Sequence, residues 1–235
     1  MTDTQTISPL RVVVLISGSG SNLQALIDGQ KNGSLPIEIM AVISNKAGVK
    51  GLERAEQASI ATRVISHKDF DSREAFDQKL LTEIESFSPG LVVLAGFMRI
   101  LTESFTQHFV GRMINIHPSL LPKYQGLHTH QRAIDANDSH GGASVHFVTA
   151  ELDGGPIIIQ AKVAIDDNET SDSLAAKVLT VEHKILPLTV KWFALNKLTM
   201  AANNAVLCGE PLPPQGFQWQ DNEETNRLID VLVKA

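Results

Sequence analysis

The chain of 235 residues carries 20 Lys and Arg against 26 Asp and Glu, a net charge of -6, which argues against an extended nucleic-acid surface. Hydrophobic residues make up 43% and charged residues 20%, a globular balance that excludes wholesale disorder and suffices for one large core. The single cysteine, Cys208, excludes an intramolecular disulfide and a multi-cysteine zinc site. The polar N-terminus has no apolar signal core and no run approaches ~18 apolar residues, so a soluble cytoplasmic protein without a membrane partner is expected.

Leu10 to Ile16 is almost wholly apolar, as a strand buried on both faces would be. Ser17-Gly18-Ser19-Gly20-Ser21-Asn22 follows, and then Leu23, Leu26 and Ile27 at helical spacing, giving strand, glycine turn and helix. Strands are expected at Ile37 to Ile43 and Thr62 to Ile65, with a helix around Leu52 to Ala58. Asp71 to Glu74 resembles a capping box ahead of a helix whose face is Phe76, Leu80, Ile84 and Phe87, and Pro89-Gly90 ends it. Leu91 to Ala95 is another buried strand, and a helix is expected from Thr102 to Val110. The alternating Met113 to His117 then reads as a strand that Pro118 terminates.

Beyond it, a helix near Thr129 to Ala136 precedes two strands, Ala143 to Val148 and Ile157 to Ile165, expected to pair antiparallel about the Asp153-Gly154-Gly155-Pro156 turn. A long helix from Ser171 to Leu195 presents Leu174, Val178, Val181, Ile185, Leu188 and Trp192 on one face. Residues 208–235 read as a tail with three prolines and a terminal helix over Glu224 to Val233, and residues 1–9 as an N-terminal extension of one domain spanning 1–235. The order implies an open α/β sheet, parallel in its N-terminal half and mixed beyond, with its cleft at the carboxyl ends of the strands.

Asn115 and His117 are two residues apart in a strand and share a face. An amide that donates two hydrogen bonds therefore lies beside the side chain that titrates near neutral pH, a pairing suited to an oxyanion and its proton donor. Asp153 is the natural third member, since a carboxylate near His117 favours the imidazolium form. The glycine loop lacks the third glycine of a dinucleotide fingerprint and the lysine of a P-loop. It fits either a single phosphate on the N–H groups of Gly20 to Asn22 or a plain glycine turn with a Ser/Asn helix cap. No nucleophile elbow and no paired metal ligands of the H-E-x-x-H kind occur, so direct transfer between two bound substrates, without metal, is expected.

Six segments in order carry a resemblance: Ser17 to Leu23, Gly96 to Leu101, Asn115 to Pro122, Gly126 to His130, Ser144 to Val148 and Leu152 to Pro156. Together they resemble the phosphoribosylglycinamide formyltransferases, the folate-dependent transformylases of purine synthesis. The resemblance runs from about Arg11 to Pro214 and implies the Rossmann-like formyltransferase fold, helices on both faces. It implies that the amine of glycinamide ribonucleotide (GAR) attacks the formyl carbon of 10-formyltetrahydrofolate, the co-substrate, with both small molecules as the only partners and the protein a monomer or homodimer. By matching position, Asn115, His117 and Asp153 are catalytic. Gly20, Ser21, Asn22 and Glu182 bind GAR, and Arg73, Met98, Arg99, Ile100, Leu101, Asn115 and Asp153 bind the folate. His128, His130 and His146 shape the cleft.

Gln125 stands where the family usually has proline, and Leu179 where it usually has glutamine. Alternatives are another 10-formyltetrahydrofolate enzyme, either a transferase to a different acceptor or a hydrolase, and a nucleotide-binding module without chemistry. The intact Asn115, His117 and Asp153 set favours an enzyme over a module.

Overall fold

In the computed structural model, residues 8–234 are described, and most of the expected N-terminal extension lies outside them. In chain order the first half comprises β1 (Leu10–Ile16), α1 (Ser21–Lys31), β2 (Ile37–Ser44), α2 (Lys50–Gln57), β3 (Ala61–Val64), α3 (Arg73–Glu85), β4 (Leu91–Leu94), α4 (Glu103–His108) and β5 (Met113–His117). The second half comprises α5 (Thr129–Asp135), β6 (His140–Phe147), β7 (Ile157–Ala164), α6 (Ser171–Ala194), β8 (Leu198–Ala201), β9 (Asn204–Leu207), β10 (Glu210–Pro211), β11 (Phe217–Trp219) and α7 (Glu223–Lys234).

Eight strands form one sheet in the order β11-β7-β6-β5-β4-β1-β2-β3. β1 to β5 run parallel, whereas β6 is antiparallel to both β5 and β7. The mixed α/β sheet is thus as expected, antiparallel β6–β7 pair included. Alternation along β1 divides the core: Val12, Val14 and Ile16 pack in a cluster with residues of α1, α2 and α6, while Val13 and Leu15 join the opposite cluster with Phe76, Leu80 and Phe105 of α3 and α4. Helices cover both faces, which is why this strand needs no polar residue between Val12 and Ile16.

Two features depart from sequence expectation, the start of α3 and the C-terminal segment. The cap of α3 is Ser72, whose hydroxyl accepts from the Ala75 N–H, so the turn begins one residue later than a box over Asp71 to Glu74 requires. As expected, α6 runs through Pro187 as one long helix, and the Thr170 hydroxyl caps it in a reciprocal box with Ser173. The segment read as a tail holds strands: β10 adds to a small antiparallel sheet formed with β8 and β9 just before it, and β11 joins the edge of the main sheet parallel to β7. Gly216 allows that docking. Its φ is +67°, and a Cβ there would lie 2.7 Å from the Ile158 carbonyl. Trp219 is buried, and Phe217 meets Trp192 edge-on at 5.4 Å. Among the described residues no helix is long and apolar enough to cross a membrane.

Candidate active site

β5 lies between β4 and β6, and its register sets the site. Asn115 stands opposite His146, and His117 stands opposite Ser144. Side chains on paired residues of an antiparallel ladder share a face, so Asn115, His117, His146 and Ser144 converge. The turn after β6 then folds back over this face. Its tightness depends on Gly155, where a Cβ would lie 1.9 Å from the Phe147 carbonyl oxygen. Asp153 itself takes a left-handed φ of +48°, and its Oδ2 lies 3.5 Å from His117 Nδ1. The three residues expected to be catalytic are therefore within reach of one another.

Hydrogen bonding assigns the ring protons. His117, 5% exposed, places Nε2 3.0 Å from the Tyr124 carbonyl, which only accepts, so Nε2 carries hydrogen. The Nδ1 edge faces the Asp153 carboxylate. The Gly126 N–H donates to Asp153 Oδ2 at 2.9 Å, and Gln125 Nε2 donates to the Asp153 carbonyl at 3.4 Å. The departure from proline at Gln125 thus adds a contact to the aspartate turn.

His146 is different. Its Nδ1–H donates to the Phe147 carbonyl at 2.8 Å, leaving Nε2 to accept from Asn115 Nδ2 at 3.1 Å. Burial pushes this imidazole down to about 4, against smaller upward pulls from the bond to the Phe147 carbonyl and from Asp153, and it is neutral at physiological pH. Only a neutral ring can accept there, so burial of His146 orients the Asn115 amide and leaves that amide one free N–H. Sequence reasoning placed His146 in the cleft but missed this pairing, because the β5–β6 register decides it.

The glycine loop sits at the carboxyl end of β1, two strands from β5. Gly20 precedes α1 with φ +67° and no side-chain cap, so the first N–H groups of that helix are free donors. A Cβ on Gly20 would lie 2.5 Å from Gly51 Cα, and Arg54 Nε donates to the Ser19 carbonyl at 2.9 Å. Ser21 is half-buried. Asn22 and Glu182, separated by 160 positions, are joined directly: Asn22 Nδ2 donates to Glu182 Oε2 at 2.6 Å. Burial raises the Glu182 carboxyl above its usual range, and the Asn22 bond partly offsets this.

On the other side, the Met98–Leu101 loop is tied at both ends. The Met98 N–H donates to Ser17 Oγ at 2.8 Å, and the Thr102 N–H donates to the buried Asp77 carboxylate at 2.6 Å. Met98 and Ile100 are 60% and 54% exposed, Arg99 is half-buried, and Leu101 is buried with Phe97 and Phe105. Two of these residues offer apolar surface to a ligand and one is core. Arg73 lies exposed in the first turn of α3, its charge acting on Asp77. Leu152, 47% exposed, adds apolar surface beside Asp153.

The site therefore has a bank of N–H donors, an apolar rim, and between them an amide, an imidazole and a carboxylate. The model of the formyl transferase family matches residues 10–190. The phosphoribosylglycinamide formyltransferase of Escherichia coli K12 is 55% identical over 208 residues, 88% of this chain and 98% of that protein. The solved structure of the phosphoribosylglycinamide formyltransferase of Coxiella burnetii, in complex with CHES, superposes with a TM-score of 0.86 at 50% identity over 90% of this chain and all of that one. A formyltetrahydrofolate deformylase of Pseudomonas putida reaches 0.78 at 28% identity, over 87% of this chain and 72% of that one. With its mixed sheet, its clustered Asn115, His117 and Asp153, and these matches over most of its length, the chain belongs to the formyl transferase family.

Proposed function

We propose that the protein transfers the formyl group of 10-formyltetrahydrofolate to the amine of GAR, giving formylglycinamide ribonucleotide and tetrahydrofolate in cytoplasmic de novo purine synthesis. The observation that carries this reading is the grouping of Asn115, His117 and Asp153 between two dissimilar binding edges. The free N–H groups at Gly20 to Asn22 suit the single phosphate of GAR, and Glu182 suits its ribose hydroxyls. Met98 to Leu101, with Arg73, suits the folate: apolar surface for the ring system and a cation for its carboxylates.

In this reading the amine attacks the formyl carbon, and the carbonyl π electrons move to oxygen. The remaining Asn115 N–H donates to that oxyanion, and protonated His117, held between Tyr124 and Asp153, supplies positive charge beside it. Collapse of the intermediate re-forms the carbonyl and breaks the bond to folate N10. The amine's proton leaves through Asp153 and water, and N10 gains one. No covalent enzyme intermediate is required.

The test is a spectrophotometric assay of the purified protein with 10-formyltetrahydrofolate, with and without GAR. GAR-dependent loss of the formyl-folate is expected. Loss without GAR would instead give a hydrolase, the activity in the name of the Pseudomonas putida relative.

A further inference from the structure

We infer that Gln160, on β7 and outside every substrate-contacting segment named above, is a positioning residue for formyl transfer. The inference rests on the functional reading just proposed. Its side chain is 3% exposed and belongs to one rung across three strands: His117 on β5 faces Ser144 on β6, and Ser144 faces Gln160 on β7. One end of this rung is the imidazole. At the other, Gln160 Nε2 donates to the Leu121 carbonyl at 2.8 Å and to Ser144 Oγ at 2.9 Å. The Leu121 carbonyl only accepts, which fixes the amide's orientation. Ser144 Oγ in turn donates to the Ser119 carbonyl at 2.7 Å and accepts from the Leu121 N–H at 3.1 Å. Both Nε2 hydrogens and the buried hydroxyl are thus satisfied.

These bonds clamp the chain at Ser119 and Leu121, immediately after His117-Pro118. The segment continues to Tyr124, whose carbonyl receives the His117 Nε2–H, and to Gly126, whose N–H meets Asp153 Oδ2. Ser119 Oγ, donating to the Lys123 carbonyl at 2.6 Å, makes the intervening turn stiff. Displacement at Leu121 therefore moves both groups that orient the imidazole and its carboxylate. A leucine at 160 has similar volume and no donor, and leaves the buried Leu121 carbonyl unpaired. The loop relaxes, and the His117 ring loses its fixed direction while the phosphate loop and the folate rim are untouched.

The experiment compares wild type with Gln160→Leu, using the exposed Lys162→Ala on the same strand as control. In the ligand-free wild type, a buried imidazole N–H bonded to a carbonyl gives a slowly exchanging low-field proton resonance, assigned to His117 by its loss in His117→Asn. In Gln160→Leu this resonance broadens away, kcat falls about 10- to 100-fold, and KM for GAR and for the folate each stay within about threefold. Lys162→Ala changes none of these. A retained resonance with kcat at the wild-type value overturns the inference, as does a loss carried by KM with the resonance intact. Should Gln160→Leu fail to fold, Ser144→Ala, which releases the same clamp at the Ser119 carbonyl and the Leu121 N–H, is judged by the same criteria. If the wild type shows no GAR-dependent transfer, the functional reading fails, and the resonance alone decides whether Gln160 holds His117.

Discussion

Neutral His146 carries a measurable cost at low pH. Its imidazole titrates near 6.5 when solvated and is pushed to about 4 by burial in the folded protein. Between those values the unfolded chain binds a proton that the folded protein refuses, so stability is intact above pH 6.5 and is lost as pH falls toward 4. A difference of about 2.5 pH units at 1.36 kcal/mol each gives a full contribution of about 3 kcal/mol, most of it expressed by pH 4.5. The perturbation is His146→Gln, which cannot titrate but can still donate to the Phe147 carbonyl. Urea unfolding of both proteins at pH 7.5 and 4.5 isolates this residue, because Glu182, Asp77 and the other shifted groups are common to both and cancel. Wild type should lose about 2–3 kcal/mol more than the variant over that interval. Parallel pH dependences would mean that His146 is not held neutral, and the argument for how Asn115 is oriented would fall with it.

Three further outcomes are expected. His117→Ala should lower kcat by ~10²–10⁴-fold with modest change in either KM, and steady-state kinetics showing only a KM effect would remove it from the transition state. Asn22→Ala strips Glu182 of the side chain that hydrogen-bonds it at 2.6 Å and should weaken GAR binding by about tenfold, with folate binding within about twofold; calorimetric titration of each ligand checks the asymmetry. Gly216→Ala forces a side chain onto a left-handed backbone against the Ile158 carbonyl and should destabilise the protein by at least about 1–2 kcal/mol in urea unfolding, without altering either KM.

The parts of the fold that could be read from residues alone are those where burial leaves a pattern. β1 and β4 are apolar because helices cover both sides, and Asn115 and His117 share a face because strand geometry has period two. What could not be read is what depends on pairing between distant segments. His146 orients Asn115 only because of the β5–β6 register, and no local feature of Ser144 to Val148 encodes that alignment. Asp153 was nameable as a partner for His117, but its approach depends on Gly155 letting the turn fold against Phe147. Asn22 and Glu182 were assigned to the same ligand from opposite ends of the chain by resemblance, and their mutual bond emerges only once α1 and α6 pack. Asp77 reads as a polar helix residue among other charges, yet it is 2% exposed and caps the chain entering α4. β11 was missed because three residues between Gly216 and Gln220 are too few to show any period.

That short strand has a consequence for the molecule among its copies. β7 is the last full strand on its side of the sheet, and without β11 the backbone groups of Ile159 to Ala161 would face outward unpaired. An open strand with this sequence is a template for a neighbouring chain. Phe217 to Trp219 occupies it from within the same molecule, and at three residues β11 is too short to recruit another strand in its turn. At the opposite margin, β3 is four residues long and carries the exposed cation Arg63. Removing residues beyond Pro214 would thus expose a self-association edge far from the reacting groups, and the loss would be felt first as concentration-dependent aggregation.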